Sequence, residues 1–416
     1  MTEENKNVKN FPTEGYLMIP KLRFPGFEKE WKSKKLGEIA NFSKGKGISK
    51  SDIDENGKTE CIRYGELYTF YEEVISEIKS KTNTDVSSLV LSEANDVIIP
   101  ASGETQIDIA TASCVLKSRV ALGGDLNVIK TENNGVFLSY YLNSKKKLEI
   151  AKLSQGISVV HLYSSQLALL NLKLPQLEEQ NKLADFLSLL NSRIQTQKKI
   201  IEQLETLMKA SREKVFSQKL RFKDEQGNYF PDWDLTELKN VCFIIGGGTP
   251  DTQKSEFWNG NIQWFTPTEI KSNFVFKSDR TISELGLKNS SAKILPKGSI
   301  LLTTRATIGE VAIAQEECTT NQGFQSLIVK ENCNNVFLFY WIKENKFELI
   351  RRANGSTFPE ISKSEIELIK ISLPPLEEQT KIANFLSSIQ EKIEMEKQIL
   401  ENLELQKKFL LANLFV

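Results

Sequence analysis

The sequence predicts an α+β protein in which two mixed α/β domains are separated by two long helices. These helices are expected to form an antiparallel coiled coil, with the whole chain built as a pseudo-two-fold internal repeat. The first observation is a repeated text: LPQLEEQNKLADFL from Leu174 returns as LPPLEEQTKIANFL from Leu373, 199 positions later. The second is the coiled-coil spacing of the apolar residues in both copies. The third is the change, before each copy, to short β-type runs punctuated by Gly, Asn and Asp.

The repeat covers more than the helices. Leu22-Arg23-Phe24 recurs as Leu220-Arg221-Phe222, and Gly45 corresponds to Gly247. Because internal repeats set the architecture, we divide the chain by them. The predicted segments are a flexible N-terminal tail (1–20), a first domain (21–173), a first long helix (174–219), a second domain (220–372) and a second long helix (373–416). The helices resemble each other more than the domains do, which indicates one shared role for the helices and two related but different roles for the domains.

Each long helix begins at a proline, which lacks the amide hydrogen that the first helical turn leaves unbonded. Glu178 and Glu179 follow, where the helix dipole favours carboxylates. The apolar residues then form a narrow seam, with Gln197 and Glu396 at equivalent polar positions that would set the register. The predicted seam consists of Leu183, Leu187, Leu190, Ile194, Ile201 and Leu204 in the first copy and Ile382, Leu386, Ile389, Ile393, Leu400 and Leu403 in the second.

A helix of roughly 40 residues is about 60 Å long and cannot bury such a seam alone. The other copy is the nearest partner, and the intervening domain allows the chain to return antiparallel. The alternative is that each helix lies on its own domain.

Within the domains, the β-type runs predict strands, and each domain ends in a helix, a glycine turn and a last strand. The predicted strands are 60–67, 96–100 and 121–130 in the first domain and 262–265, 299–303 and 325–330 in the second. The predicted final helices span 136–150 and 336–351, and the last strands span 169–174 and 366–373.

Composition sets further limits. The 416 residues carry 54 basic and 54 acidic side chains, so any nucleic-acid surface must be local. Five cysteines without CxxC spacing suit a reducing cytoplasm better than a disulfide framework or a zinc site. No signal peptide is visible and no apolar run approaches 18 residues, so a cytoplasmic protein without a membrane partner is expected.

Three features of the sequence are distinctive: the LPxLEEQxKIAxFL signature, which is used twice, the spacing of nearly 200 residues between its copies, and the loop Gly246-Gly247-Gly248-Thr249-Pro250. Together they resemble the specificity subunit of type I restriction-modification systems. The resemblance runs from about Leu22 to the end of the chain. It implies that each domain is a target-recognition domain reading half of a split DNA site, while the helices set the spacing and dock other subunits. The first domain departs from the pattern, since it has Lys44-Gly45-Lys46-Gly47-Ile48 at the loop position.

The resemblance also implies partners: double-stranded DNA, two methyltransferase subunits and, in the full enzyme, restriction subunits that translocate DNA. S-adenosylmethionine, ATP and Mg would belong to those partners, and no cofactor is expected on this chain. The sequence itself lacks the (N/D)-P-P-(Y/F) loop of an adenine methyltransferase and the GxxxxGK(S/T) phosphate loop. Pro231-Asp232 and Glu237-Leu238-Lys239 are too close together for a nuclease signature. No catalytic residue and no metal site are therefore predicted.

His161 is the only histidine, which disfavours a histidine-based triad or metal cluster. It follows the Gln155-Gly156 turn and is interpreted first as a turn or strand-edge residue, with a DNA contact as the alternative.

Candidate DNA-contacting residues are those that supply charge for phosphates or amide, hydroxyl and guanidinium groups for base edges. In the first domain they are Lys44, Lys46, Lys50, Arg63, Tyr64, Ser102, Thr105 and Gln106. In the second domain they are Thr249, Trp264, Thr268, Glu269, Thr303, Arg305, Asn321, Gln322 and Gln325. For each group the alternative is a solvated loop or a residue that only stabilises the fold.

The two sets differ, so we expect an asymmetric, two-part target whose halves lie about one helical turn, or 34 Å, apart. The leading hypothesis is a non-catalytic DNA-specificity subunit. A second class is a coiled-coil scaffold whose two β-rich domains bind protein or glycan, and a third is a self-sufficient nuclease or methylase, which the missing motifs disfavour. A single gapped footprint in the presence of methyltransferase subunits would separate the first class from the second.

Overall fold

Two units divide the chain, and each contains one domain together with parts of both long helices. The structure, a computed structural model, describes residues 19–156, 159–305, 307–355 and 359–416. Unit 1 consists of residues 1–198 and 398–416, and unit 2 consists of residues 199–397. Most of the predicted flexible tail, residues 1–18, lies outside the described residues. The five-part segmentation stays a prediction. It treats each long helix as a separate segment, whereas packing divides each helix between the two units.

The sheets of unit 1 are mixed. A five-stranded sheet has the order Ala40–Lys44, Leu126–Thr131, Asp96–Pro100, Ser113–Val115, Val74–Ile75. A four-stranded sheet has the order Ser80–Thr82, Thr59–Ile62, Ala121–Leu122, Val90–Leu91. Two antiparallel pairs complete it: Lys32–Lys35 with Asn171–Leu174, and Ser102–Gly103 with Val160–His161.

Short helices connect these strands. They are α-helices Leu36–Ile39, Glu66–Thr69, Gln106–Ile109, Gly135–Tyr141, Lys147–Leu153 and Ser164–Leu167, 3-10 helices Lys50–Asp52 and Val86–Ser88, and a π-helix Leu142–Lys146.

Unit 2 repeats this plan. Its five-stranded sheet has the order Cys242–Gly246, Gln325–Val329, Ile300–Leu302, Val311–Ala314, Phe274–Val275. A three-stranded sheet has the order Arg280–Ile282, Trp258–Phe265, Cys318–Thr320, and Asp234–Glu237 pairs with Lys370–Leu373. The connecting helices are Leu238–Val241, Ser255–Phe257, Pro267–Glu269, Glu284–Lys288, Asn335–Glu344, Lys346–Arg351 and Lys363–Glu367. The shared strand order confirms the duplication of the domains.

Several predicted strands have different bounds, and three of them are shortened or divided by the structure. The run 60–67 ends as a strand at Ile62, because Glu66 begins a helix. The run 121–130 is two strands, since Gly123 and Gly124 pass from one sheet to the other. The run 366–373 begins in a helix, and its strand starts at Lys370.

The long helices span Leu177–Phe216 and Leu376–Asn413 and run antiparallel. In unit 1, Lys407 Nζ donates to Asn191 Oδ1 at 3.0 Å, and Lys198 Nζ lies 3.1 Å from Glu404 Oε1. As residue numbers increase along the first helix, the numbers of the residues that they contact on the second helix decrease. In unit 2, Lys397 pairs with Glu205 at 2.6 Å. The antiparallel coiled coil of the predicted fold class is confirmed.

The seam is largely as predicted. Nine of the twelve predicted residues are buried: Leu183, Leu187, Ile194, Ile201, Ile382, Leu386, Ile389, Ile393 and Leu403. Gln197 and Glu396 are also buried, so polar side chains do occupy the seam. Leu190 is a partial correction, because it is half-buried and Asn191, which bonds Lys407, takes the inner position. Leu204 and Leu400 are likewise half-buried.

The repeated LEEQ text has a structural reason at the start of each helix. Glu179 accepts two hydrogen bonds from Arg23, at 2.8 and 2.7 Å, which ties the start of the domain to the helix. Gln180 accepts from the backbone N–H of Asn134 at 3.1 Å and donates to the carbonyl of Pro175 at 3.0 Å. The motif therefore joins three segments of one unit.

Each helix end packs into the core of the unit in which it finishes. Phe415 lies among Trp31, Phe137 and Tyr141 in unit 1, with ring centroids 5.5 to 6.5 Å away. Its counterpart Phe216 lies 5.6 Å from Phe337 in unit 2. The C-terminal end of each long helix is thus held by aromatic packing. Within the part of the chain that the structure describes, every helix is too short or too charged to cross a bilayer.

Candidate nucleic-acid interface

The glycine-rich loop of unit 2 is pressed against the turn that follows the strand Cys318–Thr320. A Cβ placed on Gly247 would lie 1.9 Å from the carbonyl oxygen of Asn321, so only glycine fits. The Gly247 and Gly248 N–H groups donate to the carbonyls of Phe324 and Thr320 at 3.4 and 2.8 Å. These amides serve the fold, and of the two side chains in the loop Thr249 is half-buried and Pro250 is buried.

The loop of unit 1 is built in the same way. A Cβ on Gly45 would lie 2.0 Å from the carbonyl oxygen of Gly123. The N–H groups of Gly45 and Lys46 donate to the carbonyls of Leu126 and Leu122 at 2.9 and 2.8 Å. The expected common backbone role of the two loops is therefore a close approach to a neighbouring turn, with Gly123 where unit 2 has Asn321.

In unit 2 the loop and turn gather polar side chains. Thr249 Oγ1 donates to Gln322 Oε1 at 2.5 Å, and Asn321 Oδ1 accepts from the Gly323 N–H at 2.8 Å. Gln325 lies beside Gly246, and its buried Oε1 has no hydrogen-bond partner within the described residues. Thr268, which is exposed, shares a hydrogen bond with Thr266 at 3.1 Å. Hydroxyl and amide groups of this kind can pair with base edges and phosphates.

Arg305 belongs to the same neighbourhood. The N–H of its neighbour Thr304 donates to the carbonyl of Gly323 at 2.8 Å, which fixes the strand end beside the turn. Arg305 Nε lies 2.8 Å from Glu360 Oε1, and the two side chains are 49% and 38% exposed. The arginine is therefore accessible and already paired with a carboxylate.

In unit 1 the equivalent position is cationic and aromatic. His161 stands where Glu360 stands in unit 2, and each lies in a bridge with the residue six positions earlier. The His161 and Tyr163 rings stack with centroids 6.4 Å apart, and Lys44 Nζ lies 5.8 Å from the Tyr163 centroid. Lys44, Lys46, His161 and Tyr163 are all exposed. Tyr163 was missed by sequence reasoning, since nothing local marks it.

Three predicted contacts are corrected because their side chains are buried. Ser102 is 7% exposed in a strand pair, and Trp264 is 4% exposed with its indole N–H bonded to the Gly248 carbonyl at 2.8 Å. Thr303 is fully buried, and its hydroxyl accepts from the Glu310 N–H at 3.1 Å. Burial of this kind favours a structural role for all three side chains.

Glu269 and Arg63 are occupied by the fold. Glu269 accepts from the N–H of Thr266 at 2.6 Å and from that of Asp279 at 2.7 Å. The same device holds in unit 1, where Glu66 accepts from the N–H of Arg63 at 2.9 Å and pairs with its guanidinium at 3.2 Å. The fold-stabilising interpretation therefore suits both residues. Tyr64, which is half-buried, packs against the core near Tyr68.

The remaining candidates of unit 1 lie beside the shared loop or apart from it. Thr105 caps the helix that Gln106 begins, accepting from the Asp108 N–H at 3.1 Å, and this helix follows the strand paired with Val160–His161. Lys50 begins a separate 3-10 turn. All three are exposed.

The fold and the two polar faces define a class of protein: duplicated recognition domains carried on an antiparallel helix pair. The family described as "Type I restriction modification DNA specificity domain" matches residues 28–206 and again 231–405. The chain belongs to this family.

Individual relatives agree. The type I restriction enzyme MjaIX specificity subunit of Methanocaldococcus jannaschii is 38% identical over 200 residues, an alignment that spans 46% of either chain and so less than half of that protein. The putative MjaX specificity subunit of the same organism is 30% identical over 299 residues, 69% of each chain. The crystal structure of the type I system S subunit from M. genitalium shares the fold, with a TM-score of 0.65 at 17% identity over 96% of this chain and 99% of that one.

Family membership confirms the resemblance stated from the sequence and favours the specificity-subunit reading over the scaffold alternative. A specificity subunit is a non-catalytic component of its restriction-modification complex.

Proposed function

We propose that this chain is the DNA sequence-specificity subunit of a type I restriction-modification enzyme. Each domain binds one half of a bipartite, asymmetric site in double-stranded DNA. The coiled coil sets the spacer and docks two methyltransferase subunits, and restriction subunits join in the full complex. Chemistry and its cofactors, S-adenosylmethionine, ATP and Mg, belong to those partners.

The observation that carries the proposal is that one duplicated backbone presents two unlike sets of polar groups at the same place. Unit 1 presents Lys44, Lys46 and His161, which suit phosphates and acceptor groups. Unit 2 presents a paired arginine together with hydroxyl and amide side chains. Recognition of two different half-sites requires two domains of the same fold that carry different base-contacting side chains.

The outer faces of the helices support docking of partners. Leu177, Leu189 and Phe409 on the unit 1 halves are 46%, 72% and 59% exposed, and Leu207 and Met395 on the unit 2 halves are 50% and 47% exposed. These exposed apolar side chains offer area that a docked subunit would cover. The DNA target and the five unoxidised cysteines favour the cytoplasm as the compartment.

The test is methylome sequencing of cells that express this chain with its cognate methyltransferase. We expect one gapped motif with two different halves, and no methylation when this chain is omitted. Domain exchange provides the control, because replacing residues 220–372 should change one half-site and leave the other intact. Methylation that continues without this chain, or a motif with no gap, would refute the proposal.

A further inference from the structure

The side chain of Arg280 lies against two tryptophans beside the glycine loop of unit 2. Its guanidinium carbon lies 3.7 Å from the ring centroid of Trp258 and 5.6 Å from that of Trp264. The two tryptophans meet edge to face, 5.0 Å apart, and are 8% and 4% exposed. Stacking on an aromatic face is a favoured arrangement for arginine.

The tryptophans are in turn tied to the loop. The indole N–H of Trp264 donates to the Gly248 carbonyl at 2.8 Å, and that of Trp258 donates to the Asp251 carbonyl at 3.1 Å. Arg280 also pairs with Trp264 across the antiparallel strands Arg280–Ile282 and Trp258–Phe265. These contacts therefore fix the position of the Arg280 guanidinium next to the loop that carries Thr249.

The hydrogen-bonding edge of this guanidinium is available. Among the residues that the structure describes, Arg280 donates no side-chain hydrogen bond and forms no ion pair, and its side chain is exposed. Arg305 differs, because Glu360 occupies its Nε at 2.8 Å. A stacked arginine with a free planar edge is prepared for bidentate recognition at little further cost in side-chain entropy.

Unit 1 has no equivalent of this arrangement in the matching strands. Cys61 stands at the place of Trp264, and Ser80 stands at the place of Arg280, as the strand registers show. A phosphate contact would be useful to both domains, whereas a base contact has to differ between two half-sites. The asymmetry therefore favours a base over the backbone, and guanine is the base whose O6 and N7 match the arginine fork.

We propose that Arg280 reads a guanine in the major groove of the half-site bound by unit 2. The inference rests on the proposed function, and it adds a specificity-determining residue that lies outside the candidates derived from the sequence. The two tryptophans act as positioning residues, since they hold the guanidinium without touching the base.

The experiment uses the assembled complex of this chain with its methyltransferase, in four forms: wild type, Arg280→Lys, Arg280→Gln and Lys363→Gln. Arg280→Lys keeps the charge and loses the fork, Arg280→Gln loses both, and Lys363→Gln removes a cation that pairs with Glu367 at 3.7 Å on a helix of the same unit. Each form is checked for assembly and thermal unfolding, and binding is then selected from a DNA library randomised across the wild-type motif.

We expect both Arg280 variants to lose selectivity at a single guanine of one half-site by about 5- to 150-fold, with the other half-site unchanged. Lys363→Gln should retain the wild-type motif. Uniformly weaker binding with an unaltered motif and a salt slope reduced by about 1 would identify a phosphate contact and overturn the inference. An unaltered motif and affinity in assembled variants would also overturn it. Failure of the wild-type complex to select any gapped motif would instead refute the proposed function.

Discussion

Arg221 donates two hydrogen bonds to Glu378, at 2.9 and 3.1 Å, and so joins the first residues of the second domain to the start of the second long helix. The Trp233 indole N–H adds a third bond to the same carboxylate at 3.0 Å. The hydrogen bond to Glu378 raises the pKa of the Arg221 guanidinium above its usual value. Glu378 is fully buried, so these donors take the place of the water that would solvate an exposed carboxylate.

Arg221→Met should lower the free energy of unfolding by about 3–5 kcal/mol, because it leaves a buried carboxylate without its charged partner. The double change Arg221→Met with Glu378→Gln should recover part of that loss, since no buried charge remains. Urea unfolding of the full-length chain followed by circular dichroism measures both. Arg23→Met should behave similarly through Glu179. Equal stability of the single and double variants would show that the pairing contributes little.

Gly247→Ala should destabilise unit 2 by about 2 kcal/mol or more, because the added methyl group meets the Asn321 carbonyl at 1.9 Å and the backbone has to move. Gly45→Ala should do the same in unit 1. Gly65→Ala is the matched control, since its Cβ would lie 3.5 Å from the nearest atom at a φ of −64°. Thermal unfolding distinguishes them, and a loss as large for Gly65→Ala would show that the close approach is not the cause.

Leu187→Asp should cost roughly 4 kcal/mol or more, since it places a carboxylate at a seam position that is 1% exposed. Leu189→Asp, two residues away and 72% exposed, should leave folding unchanged. The pair therefore separates the seam from the outer helix face. Circular dichroism reports folding, and co-purification with methyltransferase subunits then shows whether the Leu189 face docks them. A stable Leu187→Asp chain would contradict the buried seam.

Glu360→Gln should strengthen DNA binding, because it releases Arg305 from its ion pair. Arg305→Ala should weaken it. Both side chains are well exposed, so stability should change by less than about 1 kcal/mol in either variant. Equilibrium binding across a salt series measures the effect, with Arg351→Ala, whose 2.9 Å partner is Glu348, as the control ion pair. Unaltered binding in both variants would place Arg305 outside the interface.

Alkaline pH should destabilise the protein through its five buried thiols. Burial raises the pKa of Cys61 to about 11 and those of Cys114, Cys242, Cys318 and Cys333 to about 12, from an ordinary value of 9.0. The native state keeps these protons after the unfolded chain has lost them. Their stabilising contribution is therefore complete below pH 9.0 and is lost as the pH rises towards 12.

Thermal unfolding between pH 8 and 11 measures this loss, and Cys242→Ala should flatten the slope by one proton's contribution. At pH 8 the native thiols should also resist alkylation by iodoacetamide, whereas urea should expose all five. Rapid labelling of the native chain would contradict the assigned burial.

The sequence by itself determined the architecture, because a duplication written at a constant offset and a narrow apolar seam allow few arrangements. It located both glycine loops and the polar seam positions Gln197 and Glu396 as well. These features follow from the spacing of residues along the chain, which can be read without the fold.

Only the tertiary structure decided which polar side chains stay available. From the sequence, Trp264 and Thr303 are candidates for base contacts, yet strand pairing buries them. The hydrogen-bond partners of Glu269 and Arg63 come from turns and helix caps, which residue type alone does not predict. Arg280 shows the reverse case, since its stacking depends on two tryptophans brought beside it by a register that the sequence does not reveal. Accessibility is a property of packing between distant segments, so a residue's type can suggest a contact while its neighbours in space determine whether the contact can be made.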